Sequence, residues 1–172
     1  MTGQQPAPCA TPQRLNAGDC VGGALARITG REFRDTDIDI EATAGRPIPD
    51  IFITDGEPVF RAMERQAVAT ALAEHTGVLA LGGGSILAEQ TRTALRDHTV
   101  AFLSLTMPTG VRRTGLASNR PLLTGVNPRA TYKALLDARL HLYQEVATIV
   151  VQTDDLTVDE VAAVIAEKLD LA

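Results

Sequence analysis

Short apolar runs alternate with helix-patterned segments along most of this chain, and that alternation leaves few folds open. The runs are GVLALGGG at 77–84, TVAFLSL at 99–105 and TIVVQT at 148–153. Each is long enough for one strand and offers apolar side chains to both faces, as strands buried on both sides do. Around them, AEQTRTALRDH (88–98), RATYKALLDARLHLYQEVA (129–147) and TVDEVAAVIAEKLDLA (157–172) repeat their apolar residues at helical spacing. Strands that alternate with helices predict an α/β architecture, a parallel sheet covered on both faces.

The first half fits the same pattern. GDCVGGALARITG (18–30) reads as a helix with Asp19 as its N-terminal cap and Gly30 as its stop, although Gly22 and Gly23 weaken it. REFR (31–34) is a short strand running into DTD, and IDIEATAG (38–45) is a helix closed by Gly45. The segment 48–77 holds one short helix and one long one, the latter marked by Phe60, Met63, Ala67, Val68, Ala71 and Leu72. Pro108 stands near the first turn of a further helix, and 116–128 is a polar loop with glycine and proline. In the terminal helix Thr157 and Glu160 have the spacing of a capping box. Residues 1–17, rich in Pro, Gln and Ala, read as a flexible segment. No repeat or linker divides the 172 residues, which predicts a single domain.

Charge narrows the partners. A formal net charge of −5 argues against nucleic acid, whose phosphates call for a basic face. No run of 18 apolar residues offers a membrane span, and the first residues lack the basic start and apolar stretch of a secretory signal, so a cytoplasmic location is expected. Cys9 and Cys20 form no metal or redox motif.

Several separate motifs then agree at once. FRDTDIDIE (33–41), IPDIFITDGEPVFRAMER (48–65), VLALGGGS (78–85), GVRRTG (110–115), NRPLL (119–123) and ARLHLYQEVA (138–147) occur in the order and spacing of shikimate kinases, and the chain resembles that family over about residues 31–172. The resemblance implies a P-loop kinase fold of the nucleoside-monophosphate-kinase type, with a five-stranded parallel sheet and a lid-like loop at 113–127. It also implies a site for shikimate, a cyclohexene carboxylate with three hydroxyls. Arginine suits the carboxylate because its planar fork donates two parallel hydrogen bonds, and an ionised Asp suits hydroxyls because it only accepts. By resemblance, Asp37 holds substrate hydroxyls, Arg61 and Arg139 grip the carboxylate, Gly82, Gly83 and Gly84 form a turn the substrate can approach, and Arg120 lies on the lid beside Arg113. Each has a plainer reading. Asp35 and Asp37 cap a helix, Arg61 pairs with Glu57 or Glu64, the glycines bend a strand into a loop, and Arg139 is a solvated helix residue. His141 replaces the family's proline two places after Arg139.

The nucleotide side reads differently. A P-loop has the form GxxxxGK[ST]: its backbone N–H groups cradle phosphates, its lysine neutralises them and its hydroxyl helps hold Mg²⁺. Counting back from DTD at the family's spacing places the lysine at Gly18 and the hydroxyl at Asp19, within PQRLNAGDC (12–20). The only lysines are Lys133 and Lys168. The preceding APCAT makes a poor central strand. This reading predicts a degenerate first strand and loop, no ATP or metal cofactor, and an ATP-independent enzyme on shikimate or a close analogue. The reaction would be a 1,4-elimination of the 3-hydroxyl, with Asp37, Asp35, Asp19 and His141 as candidate acid–base groups. The alternatives are a shikimate-binding pseudokinase and an ATP-dependent shikimate kinase with a divergent loop.

Overall fold

The computed structural model of the protein describes residues 17–106 and 128–170. The stretch read as a first strand (residues 7–11), residues 12–16 of the loop read over 12–20, the helix beginning near Pro108 and the lid-like loop at 113–127 lie outside these residues, as do Arg113 and Arg120.

The first helix, α1 (Ala17–Thr29), begins ahead of the cap that the sequence suggested, so Asp19 stands inside its first turn instead of capping it. It ends where Gly30 takes φ +64°, a left-handed conformation that glycine adopts without steric cost. The glycines that weakened the sequence case for this helix have a packing role in one instance. A Cβ on Gly22 would lie 2.5 Å from the Phe33 ring, so the missing side chain is what lets the first strand lie against the helix.

That strand, β1 (Phe33–Asp35), leads directly into α2 (Thr36–Ala44). Asp35 is extended (φ −126°) and its carboxylate accepts from the Asp37 N–H, capping the helix; Gly45 at φ +66° ends it. A short α3 (Ile48–Thr54) and a long α4 (Glu57–Glu74) follow, each with proline in its first turn. Next come β2 (Val78–Ala80), a single 3-10 turn (Ser85–Leu87), α5 (Glu89–Leu95) and β3 (Ala101–Ser104). The chain described ends with α6 (Pro128–Val146), β4 (Ile149–Gln152) and α7 (Val158–Lys168). The capping box at the start of α7 forms as read: Thr157 Oγ1 accepts from the Glu160 N–H, and Glu160 accepts from the Thr157 N–H.

Among the described residues the strands form two parallel pairs. β1 runs beside β2 with Asp35 opposite Ala80, and β3 beside β4 with Ser104 opposite Gln152. The described residues supply four strands in two parallel pairs, and the expected first strand falls outside them. Both pairs contribute to one core. Val21, Ala24 and Leu25 of α1 bury against Val161, Ala162 and Ile165 of α7, and Val78, Leu103 and Val151 of the strands join them. A second cluster, Ile40, Ile51 and Phe60, ties α2, α3 and α4 together, and a third joins Ile86, Leu95 and Val146. The architecture is α/β, with small parallel sheets and packed helices.

Candidate functional site

Parallel strands aim the loops at their C-terminal ends towards one side, which is where α/β proteins bind ligands. β1 ends in Asp35 and β2 in Ala80, directly opposite each other. The residues just beyond, Asp37 on α2 and Gly82–Gly84 on the turn, therefore meet. A Cβ on Gly82 would lie 3.0 Å from Asp37 Oδ1 and 3.1 Å from Glu64 Oε1. The turn closes on itself through the Ser85 N–H, which donates to Gly82 O at 3.0 Å.

α4 brings Arg61 and Glu64 to the same place. Arg61 Nη1 donates to Glu64 Oε2 at 2.7 Å, and Arg61 Nε and Nη2 donate to Glu57 Oε1 at 3.1 Å. The guanidinium lies so close to Gly84 that any side chain there would overlap it. Glu64 is only 3% exposed, and its second oxygen accepts from Ser85 Oγ at 3.1 Å. The carboxylate thus bridges the arginine and the turn. Burial disfavours the charge on Arg61, but the hydrogen bonds and charges of Glu64 and Glu57 outweigh it and raise its pKa above the ordinary value. Of five N–H donors on a guanidinium these bonds use three, so one on each terminal nitrogen stays outside them. Glu64 is fixed by burial, whereas Glu57 is the more exposed and more weakly held partner. An open pocket of about 420 Å³ lies on this face of α4, with Arg61, Arg65, Leu87 and Ala88 in its wall.

α6 supplies the opposite side. Tyr143 Oη donates to Gly83 O at 2.5 Å, and the ring stacks on Phe102 of β3 with centroids 4.7 Å apart. Arg139 is half-buried one turn before Tyr143 on the same helix, and His141 is exposed. The structure therefore gathers Asp37, the glycine turn and Arg61, and places Arg139 on the helix that Tyr143 ties to that turn. Asp35 is 5% exposed and holds the start of α2, so the plainer reading of Asp35 as a cap is realised, as is that of Arg61 pairing with both glutamates. Sequence reasoning missed Ser85 and Tyr143, and offered Glu64 only as a partner for Arg61. The burial of Glu64 was legible: it falls one turn after Phe60 and one before Val68, a charge on an apolar stripe.

Asp35 also fits a magnesium ion. Mg²⁺ takes one or two carboxylates when phosphates and waters supply its other oxygens. Asp35 offers one at a strand end; Oδ1 caps α2, which leaves Oδ2 as the atom suited to an ion or its water shell. Among the described residues no three metal-ligating side chains cluster. No helix among them is long and apolar enough to cross a membrane.

Comparison with known proteins bears on the chemistry. A sequence model of the shikimate kinase family matches residues 19–170. The chain is 59% identical over 149 residues to a shikimate kinase of Saccharopolyspora erythraea, covering 87% of this chain and 85% of that protein. It is 60% identical over 149 residues to one from Salinispora arenicola, covering 87% and 89%. Among solved structures, the shikimate kinase from Acinetobacter baumannii in complex with shikimate superposes with a TM-score of 0.84 at 35% identity, covering 90% of this chain and 88% of that one.

These likenesses correct three expectations from the sequence. The ATP-independent elimination is overturned, because relatives this similar over most of their length are named as kinases. The reading of kinase activity as improbable falls with it. So does the expectation of no cofactor, since kinases of this family use ATP and Mg²⁺. The physical reason for the error is local. Residues 12–20 alone pointed to loss of the loop, the family match begins only at Asp19, and neither the structure nor the comparisons support that loss.

Proposed function

Because the chain belongs to the shikimate kinase family, we propose that it is an ATP-dependent shikimate kinase, working as one domain in the cytoplasm. The observation that carries this reading is the convergence of Asp37, Arg61 and Gly82–Gly84 at the ends of β1 and β2, in a chain about 60% identical to proteins of that name.

Arg61 and Arg139 would hold the substrate carboxylate, with Glu64 fixing the guanidinium of Arg61 from its buried side. Arg120 would join them by its place in NRPLL. Asp37 would accept hydrogen bonds from substrate hydroxyls and so orient the one that attacks phosphorus. The glycine turn lets the ring come close, because Gly82 presents no side chain between Asp37 and Glu64. In the transfer, the hydroxyl oxygen bonds to the terminal phosphorus of ATP, the bond to the leaving ADP breaks, and the proton leaves towards Asp37. Magnesium, when bound, neutralises charge on the phosphates, and Asp35 is the residue suited to hold it. Phosphoryl transfer depends mainly on positioning and charge stabilisation, which this arrangement supplies to the acceptor. Phosphorus NMR of shikimate incubated with protein, ATP and Mg²⁺ tests the reading. A new phosphomonoester signal is expected, and its absence alongside unconsumed ATP contradicts it.

A further inference from the structure

The Tyr143 hydroxyl does more than fill space. It donates to Gly83 O at 2.5 Å, from a ring held flat against Phe102 (interplanar angle 5°). The ring therefore has little freedom, and the hydroxyl fixes a carbonyl in the middle of the glycine turn. A trans peptide is planar, with its C=O and N–H on opposite sides. Fixing Gly83 O towards α6 therefore turns the Gly84 N–H the other way. Glycines such as these have the freest backbone of any residue, so an external tether is what selects one orientation of that peptide. The same bond locates α6 against the turn, and with it Arg139, one helical turn earlier. The neighbouring side chains are accounted for separately: Glu64 holds Ser85 and Arg61, and Ser85 N–H holds Gly82 O. Gly83 O has Tyr143.

We infer that Tyr143 is a positioning residue, whose hydroxyl sets the Gly83–Gly84 peptide and the placement of Arg139 for binding the acidic substrate. The inference rests on the shikimate kinase reading. It separates the two substrates: the acceptor site depends on the tether, and the nucleotide site does not.

Tyr143→Phe keeps the ring and its stack and removes only the donor. Steady-state kinetics of the full chain should show the KM for shikimate rising about fivefold to tenfold, the scale of one lost hydrogen bond. The KM for ATP and kcat should stay within about twofold. An unchanged KM for shikimate overturns the inference, and so does an equal rise in both KM values, which a merely structural role would produce. Should the wild-type protein neither bind nor phosphorylate shikimate, the kinase reading fails first. Amide hydrogen exchange then decides the positioning role on its own. Exchange that quickens at residues 83–85 in Tyr143→Phe, with α4 and β2 unaffected, supports it; exchange matching the wild type overturns it.

Discussion

At the residue scale, Glu64 shows how the site is built. The periodicity of α4 places that position among buried side chains, and a carboxylate there survives only because Arg61 and Ser85 satisfy both of its oxygens. Gly84 completes the arrangement by leaving room for the guanidinium. Gly84→Ala should push Arg61 off Glu64 while the turn stays folded, since Gly84 has an ordinary right-handed conformation (φ −95°, ψ −12°). The expected result is a rise of about tenfold in the KM for shikimate, the scale of one charge-assisted hydrogen bond, with kcat little changed. A KM equal to that of the wild type would show that Arg61 does not bind the substrate. Asp37→Asn keeps the shape and loses the ionised acceptor. It should lower kcat by roughly 10²–10⁴, the usual worth of a positioned acid–base group. Asp37 and the three glycines were legible through motif order alone. Tyr143 was not, because its partner is a backbone carbonyl sixty residues away, and no local pattern records such a contact.

At the element scale, the caps were the most legible features because their chemistry is local. The Thr157–Glu160 box and the left-handed Gly30 and Gly45 all appear where the sequence placed them. Thr157→Ala should destabilise the protein by roughly 1 kcal/mol, read from the midpoint of urea unfolding. The effect has a pH signature. The Thr157 N–H and hydroxyl hold the Glu160 carboxyl below its ordinary pKa. A group whose pKa is lowered by folding adds stability above its unfolded value and loses it as pH falls through the folded one. The difference between wild type and Thr157→Ala should therefore be full at neutral pH and shrink below about pH 4.5. An equal difference at pH 7 and pH 3 would remove Glu160 from the account. Strand lengths were less legible. GVLALGGG and TVAFLSL span eight and seven residues, yet β2 pairs over three and β3 over four, because pairing depends on the neighbouring strand and hydrophobicity does not report it.

At the scale of the whole molecule, α1 and α7 pack together with both strand pairs, and the proposed acceptor site sits on the β1–β2 side. The sequence made this α/β architecture readable through alternation, and motif order pointed to the residues that the structure gathers at the candidate site. Residues 12–20 misled over chemistry, because one short segment was weighed against the motifs of the remaining chain. The central claim, that this chain phosphorylates shikimate, is tested most directly by the initial rate of ADP formation from ATP and Mg²⁺ as shikimate is varied. The account predicts a rate that rises and saturates with shikimate and vanishes on chelating the metal. ADP formation indifferent to shikimate, or none at high protein concentration, would contradict it.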